Sequence, residues 1–111
     1  MSKVWLVHPI DKQDTSSANQ FGEFVYINHR FIYADQILPD LSINSSFLDH
    51  MWCAALDFDT DEDYLLMAGD HLQVAQMCVY LGQVWGRFNV LRYDRIAKGY
   101  FPVRMDEAPQ E

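Results

Sequence analysis

Short apolar runs alternate along the chain with polar, turn-forming stretches. Val4-Trp5-Leu6-Val7 is a continuous apolar run closed by His8-Pro9. Its continuity predicts a strand buried on both faces, because a half-exposed strand would alternate with polar residues. Asp11 to Gln20 is polar and turn-rich and reads as a loop. Phe24-Val25-Tyr26-Ile27 and Phe31-Ile32-Tyr33 are β-branched and aromatic. Asn28-His29 between them fits a tight hairpin turn, since Asn tolerates a left-handed backbone. Pro39-Asp40 opens a second loop.

The period then changes. Asn44-Ser45-Ser46 offers helix caps, and Phe47, Met51 and Ala55 recur on one helical face, with Leu48 and Trp52 beside them. After an acidic stretch, Tyr64-Leu65-Leu66-Met67-Ala68 is a short apolar run bounded by turns, which fits a buried strand. Asp70 and Gln73 fit a capping box ahead of a longer helix ending at Gly86. Val74, Ala75, Cys78, Leu81, Gly82 and Trp85 mark its expected inner face, and Gly82 there predicts close packing on a sheet. Phe88 to Arg95 reads as a strand, 95–99 as a hairpin loop, and Tyr100 to Met105 as the return strand. Pro102 has no N–H to give, so that return strand should be an edge.

Strand 64–68, helix 70–85 and strand 88–95 form one right-handed βαβ crossover. The expected fold is therefore a single α+β domain over 1–111. It has a mixed sheet of five or six strands, flanking antiparallel hairpins, and two helices on one face. Residues 57–63 are an acidic loop and 106–111 a solvated tail.

Composition agrees with a globular body: 50% of the 111 residues are hydrophobic and 14% aromatic. No apolar run approaches the ~20 residues of a membrane span, and the first ten residues are too short and weakly charged for a signal peptide. Cys53 and Cys78 have neither CxxC nor zinc spacing, so two buried, reduced thiols in a cytoplasmic protein are expected.

Charge changes the picture more. Sixteen carboxylates against eight Lys and Arg give a net charge of -8. Such a chain repels nucleic acid and anionic membranes on average and attracts basic proteins. The distribution is uneven. Residues 57–70 carry six negative charges and no positive one, whereas residues 87–104 carry Arg87, Arg92, Arg95, Lys98 and Arg104 against Asp94 alone.

Known chemistries fit poorly. Asp57, Asp59, Asp61 and Asp63 imitate the start of a calcium loop, but an EF-hand needs Gly at its sixth position and Glu at its twelfth, where this chain has Glu62 and Ala68. No metal or cofactor is expected. Gly69 before a helix resembles a phosphate site, but the carboxylate of Asp70 would fill the anion position, and no phosphate-loop motif is present. His50 and Cys53 lie three residues apart with nothing to activate them, and no GxSxG or HExxH occurs. Basic and aromatic residues interleave at 92–101, which is how single strands are held, but the acidic balance disfavours direct nucleic-acid binding.

The C-terminal half, DYLLMAGDHLQVAQMCVYLGQVWGRFNVLRYDRIAKGYFPVRM, resembles uncharacterised small accessory proteins of tailed phages. The likeness rests on the Gly69-Asp70 turn, the helix after it and LRYDRIAKGYFPV. It implies a context in which small proteins bind and redirect a host or virion protein, and it carries over no site residues.

These observations converge on a non-enzymatic acidic interaction protein. The expected partner is a host or virion protein with a basic surface, such as a groove of a polymerase or defence nuclease in the host cytoplasm. Asp57, Asp59, Asp61, Glu62 and Asp63 are the expected contact carboxylates. Arg92, Arg95 and Lys98 form a second docking surface. Two alternatives stand beside this: an assembly protein self-pairing through its edge hairpin as a homodimer, and a small-ligand or enzymatic domain with a site near Gly69-Asp70.

Overall fold

The computed structural model describes residues 2–10 and 15–109. Its strands are β1 (Lys3–Leu6), β2 (Glu23–Tyr26), β3 (Tyr64–Leu66), β4 (Phe88–Asp94) and β5 (Gly99–Met105). They form one mixed sheet in the order β2-β1-β3-β4-β5. The first four are parallel, and β5 returns antiparallel to β4. Helices α1 (Ser45–Asp57) and α2 (His71–Trp85) cover one face. A 3-10 turn over Ser16–Phe21 lies on the other face and contributes Ala18 to the second core. The α+β architecture thus matches the expectation, with five strands.

Both faces of β1 are buried because its neighbours are. Trp5 and Val7 pack among Met51, Leu65, Met77 and Leu81 under the helices, while Val4 and Leu6 pack with Ala18, Leu66 and Leu91 behind. The β3–α2–β4 crossover is present as expected, with Tyr64 opposite Asn89 in parallel register.

One hairpin is replaced. β2 does not pair with residues 31–33; it runs parallel to β1, with Lys3 opposite Glu23. Residues 7–22 are long enough for a parallel crossover. The Asn28 side chain, expected to favour a turn, is instead drawn inward, donating from Nδ2 to Gln73 Oε1 at 2.9 Å. Residues 29–33 then cross the carboxyl end of the sheet. Of the loop expected over 11–20, residues 11–14 lie outside the described residues, as do 110 and 111 of the tail.

The C-terminal hairpin is as expected. Met67 N donates to the Leu91 carbonyl at 2.9 Å, so the backbone polar groups of Leu91 face β3. Leu91 is opposite Pro102, so that pair is not hydrogen-bonded across β4 and β5. The nitrogen of Pro102 therefore faces away from the sheet, at its edge, where nothing is lost.

Both helices are capped by side chains: Asn44 Oδ1 accepts from Ser46 N at 2.9 Å, and Asp70 Oδ1 from Leu72 N at 3.1 Å. α1 buries Phe47, Met51 and Ala55 as its spacing predicts, but Trp52 is exposed and sets its ring edge-on to Tyr80 at 5.2 Å. α2 is rotated from its expected orientation. Val74 and Leu81 point inward with Gln73 and Met77, whereas Ala75, Gly82 and Trp85 are exposed. The cause is Gln73, held inside by three hydrogen bonds that fix the rotation of the helix. A Cβ at Gly82 would meet nothing within 4 Å, so no close helix-to-sheet contact exists there.

Candidate functional site

The two ends of the sheet differ in kind. α1 delivers the chain to the amino end, where the acidic loop leads into β3. Asp57, Asp59, Asp61 and Glu62 are exposed. Asp63 is not: its residue is 2% exposed. Its Oδ1 accepts from Lys3 N at 3.0 Å, and its Oδ2 accepts from Trp5 Nε1 and Asp59 N, both at 3.0 Å. The loop is a compact turn around this anchor, with Asp61 N on Asp59 Oδ1 at 2.9 Å and Asp63 N on the Asp59 carbonyl at 2.8 Å. Asp63 therefore leaves the set of contact carboxylates. The acceptor is claimed by the indole of Trp5 on β1, a partner that the local sequence around Asp63 does not announce.

The opposite, carboxyl end of the parallel strands is where α/β sheets bind ligands, at the point where strand order reverses. Here that point lies between β1 and β3. It is occupied by the protein's own polar side chains. His8 Nδ1 donates to the Pro9 carbonyl at 2.7 Å, and His8 Nε2 accepts from Asp70 N at 3.0 Å. A carbonyl only accepts and a backbone N–H only donates, so the ring is held as the neutral Nδ1–H tautomer. Asp70 Oδ2 accepts from Ile32 N at 2.8 Å and from Gln73 Nε2 at 3.2 Å. Gln73 Nε2 also donates to the Arg30 carbonyl at 2.8 Å. The chain of bonds continues through Asn28 to His50, whose Nδ1 lies 2.9 Å from Asn28 Oδ1. The ring of Phe31 covers His8 at a centroid distance of 4.4 Å.

This network was not singled out from the sequence. His8, Asn28, Gln73 and His50 belong to four separate elements and share no spacing. Only the cap at Asp70 was legible. Its partner Gln73 does not complete a capping box: Gln73 reaches the Asp70 carboxylate, and the Asp70 N–H goes to His8. The arrangement fills the place of a phosphate with Asp70 itself and with residues 30–32.

The cationic residues divide. Arg92, Arg95 and Lys98 are exposed near the carboxyl end of β4, where Asp94 Oδ1 takes Ile96 N at 2.9 Å and Lys98 adopts a left-handed φ of 54°. Arg87 and Arg104 sit at the amino end. Arg87 Nε is 2.9 Å from Asp106 Oδ1, and Arg104 Nε donates to Asn89 Oδ1 at 2.6 Å. The acidic loop and the basic hairpin are thus at opposite ends of the sheet, separated by the length of β4, roughly 20 Å at the usual rise per residue.

A shallow cleft of about 300 Å³ runs along α1 beside β2, lined in part by Tyr26, His29, His50, Cys53 and Asp57. No group of three or more His, Cys, Asp or Glu residues with metal-holding geometry occurs among the described residues. Both cysteines are free thiols, but not both are buried as expected: Cys53 is exposed, because it lies off the Phe47–Met51–Ala55 face. Cys78 is half-buried, and desolvation pushes its pKa up. Among the described residues, no helix is long and apolar enough to cross a membrane.

No curated protein and no solved structure matches the chain. A family model does, and it bears out the phage resemblance of the C-terminal half while extending it over nearly all of the sequence. With residues 3–107 matched by the model of the Phage Pam3 gp32-like proteins, the chain belongs to that family.

Proposed function

We propose that this phage-family protein works without catalysis, as an acidic docking protein whose amino end occupies a basic groove on a host or virion protein. A nucleic-acid enzyme of the host, a polymerase or a defence nuclease, is the partner class whose grooves carry the matching charge, and inhibition in the host cytoplasm would follow from occupancy. The observation that carries this reading is the acidic turn. Asp57, Asp59, Asp61 and Glu62 are exposed together on a loop that Asp63 pins to β1. Pinning lowers the ordering cost of binding, and like charges held together steer a cationic partner.

Support for the other readings is thinner. Around Gly69-Asp70 the polar groups satisfy one another, which leaves a ligand little to recognise there. Self-pairing through β5 meets the outward nitrogen of Pro102 in mid-strand.

The test is capture from nuclease-treated host lysate, eluted along a salt gradient, with two variants of equal charge change. Asp57→Asn/Asp61→Asn should release the partner at clearly lower salt than the wild type. Asp35→Asn/Asp49→Asn, exposed away from the loop, should not. Identical elution of all three proteins would refute the reading.

A further inference from the structure

We infer that the trough between α1 and the chain leaving β2 is a binding site for a nucleoside monophosphate, with the phosphate at Arg30, His29 and His50 and the base between Tyr26 and Asp57. Two hollows make up the trough. The first, of about 190 Å³, lies beside the first turn of α1 and is lined by His29, Arg30, Ser46 and His50, with Asn28 and Phe47 behind. The second is the cleft of about 300 Å³ that holds Tyr26, Cys53 and Asp57. His29 and His50 line both, so the hollows adjoin.

Charge chooses the phosphate end. No carboxylate lines the first hollow. Arg30 has no ion pair among the described residues. Its guanidinium carbon lies 6.0 Å from the centroid of the Phe47 ring, and its carbonyl is held by Gln73 Nε2 at 2.8 Å. His50 is aimed by a chain of bonds with one sense. The Arg30 carbonyl and the Asp70 carboxylate only accept, so they take the amide nitrogen of Gln73. Gln73 Oε1 then accepts from Asn28 Nδ2, and Asn28 Oδ1 accepts from His50 Nδ1–H. Nε2 is left on the far side of the ring with a lone pair. A phosphate monoester loses its second proton near pH 6, at a pKa of about 6. One proton shared between a phosphate oxygen and Nε2 therefore serves both groups. The end of α1 adds little, because Asn44 already takes the backbone N–H groups of Ser46 and Phe47.

Length and lining choose the rest of the ligand. His50, Ala54 and Asp57 recur at intervals of four and three, on one face of α1. Seven residues of helix place Asp57 about 10 Å beyond His50, roughly the span from the phosphate to the outer edge of the base in a nucleoside monophosphate. Tyr26 is 49% exposed and lines the same cleft, and an aromatic ring there stacks a base. Asp57 is the one carboxylate that lines either hollow. It accepts an N–H from a base and repels a second phosphate, so the ligand has its charge at one end only. At physiological salt the field of the acidic loop is screened over about 8 Å, so its acids beyond Asp57 act weakly on a phosphate at Arg30.

Amide NMR on the whole chain at constant ionic strength reads the site, with separate titrations of adenosine monophosphate, adenosine and inorganic phosphate. The monophosphate should saturate, shift the amides of 28–30 and 46–57, and bind about tenfold or more tighter than either fragment, as joined contacts do. Arg30→Gln should weaken it by about tenfold or more, the size of one charge-assisted hydrogen bond. Arg87→Gln, the same charge change at the opposite end of the sheet, should leave it unchanged. Tyr26→Ala should weaken the monophosphate and leave inorganic phosphate as it was. The replaced side chains are exposed, and the spectra themselves show that each variant is folded. No saturable shift at millimolar monophosphate overturns the inference, as do shifts confined outside the trough or equal weakening by Arg87→Gln. Inorganic phosphate bound as tightly as the monophosphate also overturns it, leaving an anion hollow alone. So does a phosphorylated single strand bound more tightly than the monophosphate, which would make this a site for a nucleic-acid end.

Discussion

Asp63 decides whether the acidic loop is one patch or two kinds of carboxylate, and its removal has a size that follows from the geometry. Asp63→Ala deletes the acceptor of three N–H groups: the buried Trp5 indole and the part-buried backbone amides of Lys3 and Asp59. A buried donor left without an acceptor costs roughly 1–3 kcal/mol, and hydrogen bonds to a charged group lie toward the upper end. Water reaches the two amides more easily than the indole, so the sum is about 3 kcal/mol. Against a total stability of roughly 5–15 kcal/mol for a domain of this size, that is a large fraction. With about 4 °C per kcal/mol, the midpoint of thermal unfolding should fall by roughly 10 °C or more. Asp63→Asn keeps one oxygen and turns an NH₂ toward a donor, so it should fall in between. Asp61→Asn and Asp57→Asn, on exposed carboxylates, should stay within about 0.5 kcal/mol of wild type. Urea and thermal unfolding followed by tryptophan emission and far-ultraviolet circular dichroism measure all of these. Asp63→Ala unfolding together with Asp61→Asn would refute the argument that Asp63 anchors the loop.

Gly69→Ala should destabilise by about 2 kcal/mol, since the residue has a φ of 94° and its Cβ would come 2.9 Å from His8 Nε2; urea unfolding checks it. Thiol labelling should be biphasic, with exposed Cys53 reacting first and half-buried Cys78, its thiol pushed up by desolvation, reacting slowly; Cys53→Ser should remove the fast phase alone. The side-chain hydroxyl of Ser42, followed by its backbone N–H, holds Asp40 below its ordinary pKa. The carboxylate is favoured in the folded chain, so its contribution is present above the ordinary carboxyl range and is lost as pH falls through the lowered value. An NMR titration should find that midpoint, and Ser42→Ala should move it upward.

The parts of the fold that the sequence made legible are those set by local pattern. Val4 to Val7, the caps at Asn44 and Asp70, the crossover from β3 to β4 and the edge position of Pro102 all follow from neighbours within a few residues. What was not legible depends on distant partners. Asn28-His29 has the chemistry of a turn, but Gln73, forty-five residues later, takes the Asn28 amide and the chain passes on. The same Gln73 turns α2 about its axis and brings Ala75, Gly82 and Trp85 to the surface, while Val74 and Leu81 keep the inward positions that their spacing predicts and Cys78 stays partly buried against the core. In the candidate site, the clustering of acids was visible in the sequence. The difference between Asp61, exposed, and Asp63, buried, was not, because it arises from an indole on β1 fifty-eight residues away.

The same bonds fill the place where the topology would put a ligand. Parallel strands in the order β2-β1-β3-β4 create a reversal point whose carboxyl end ordinarily stays open to ligands. Keeping it open requires backbone and side-chain donors that find no partner within the protein. Here each group named at that point is already engaged: both nitrogens of His8, both oxygens of Asp70 and the amide of Gln73. Residues 28–33 close over them through Ile32 N and the ring of Phe31. A buried polar network that is fully satisfied rigidifies its surroundings. The strand ends are therefore tied to one another by these bonds, and the exposed carboxylates of the acidic loop are on the opposite end. Under the proposed docking role, recognition at that end would rest on charge held in a fixed turn, a feature that carries no motif of its own.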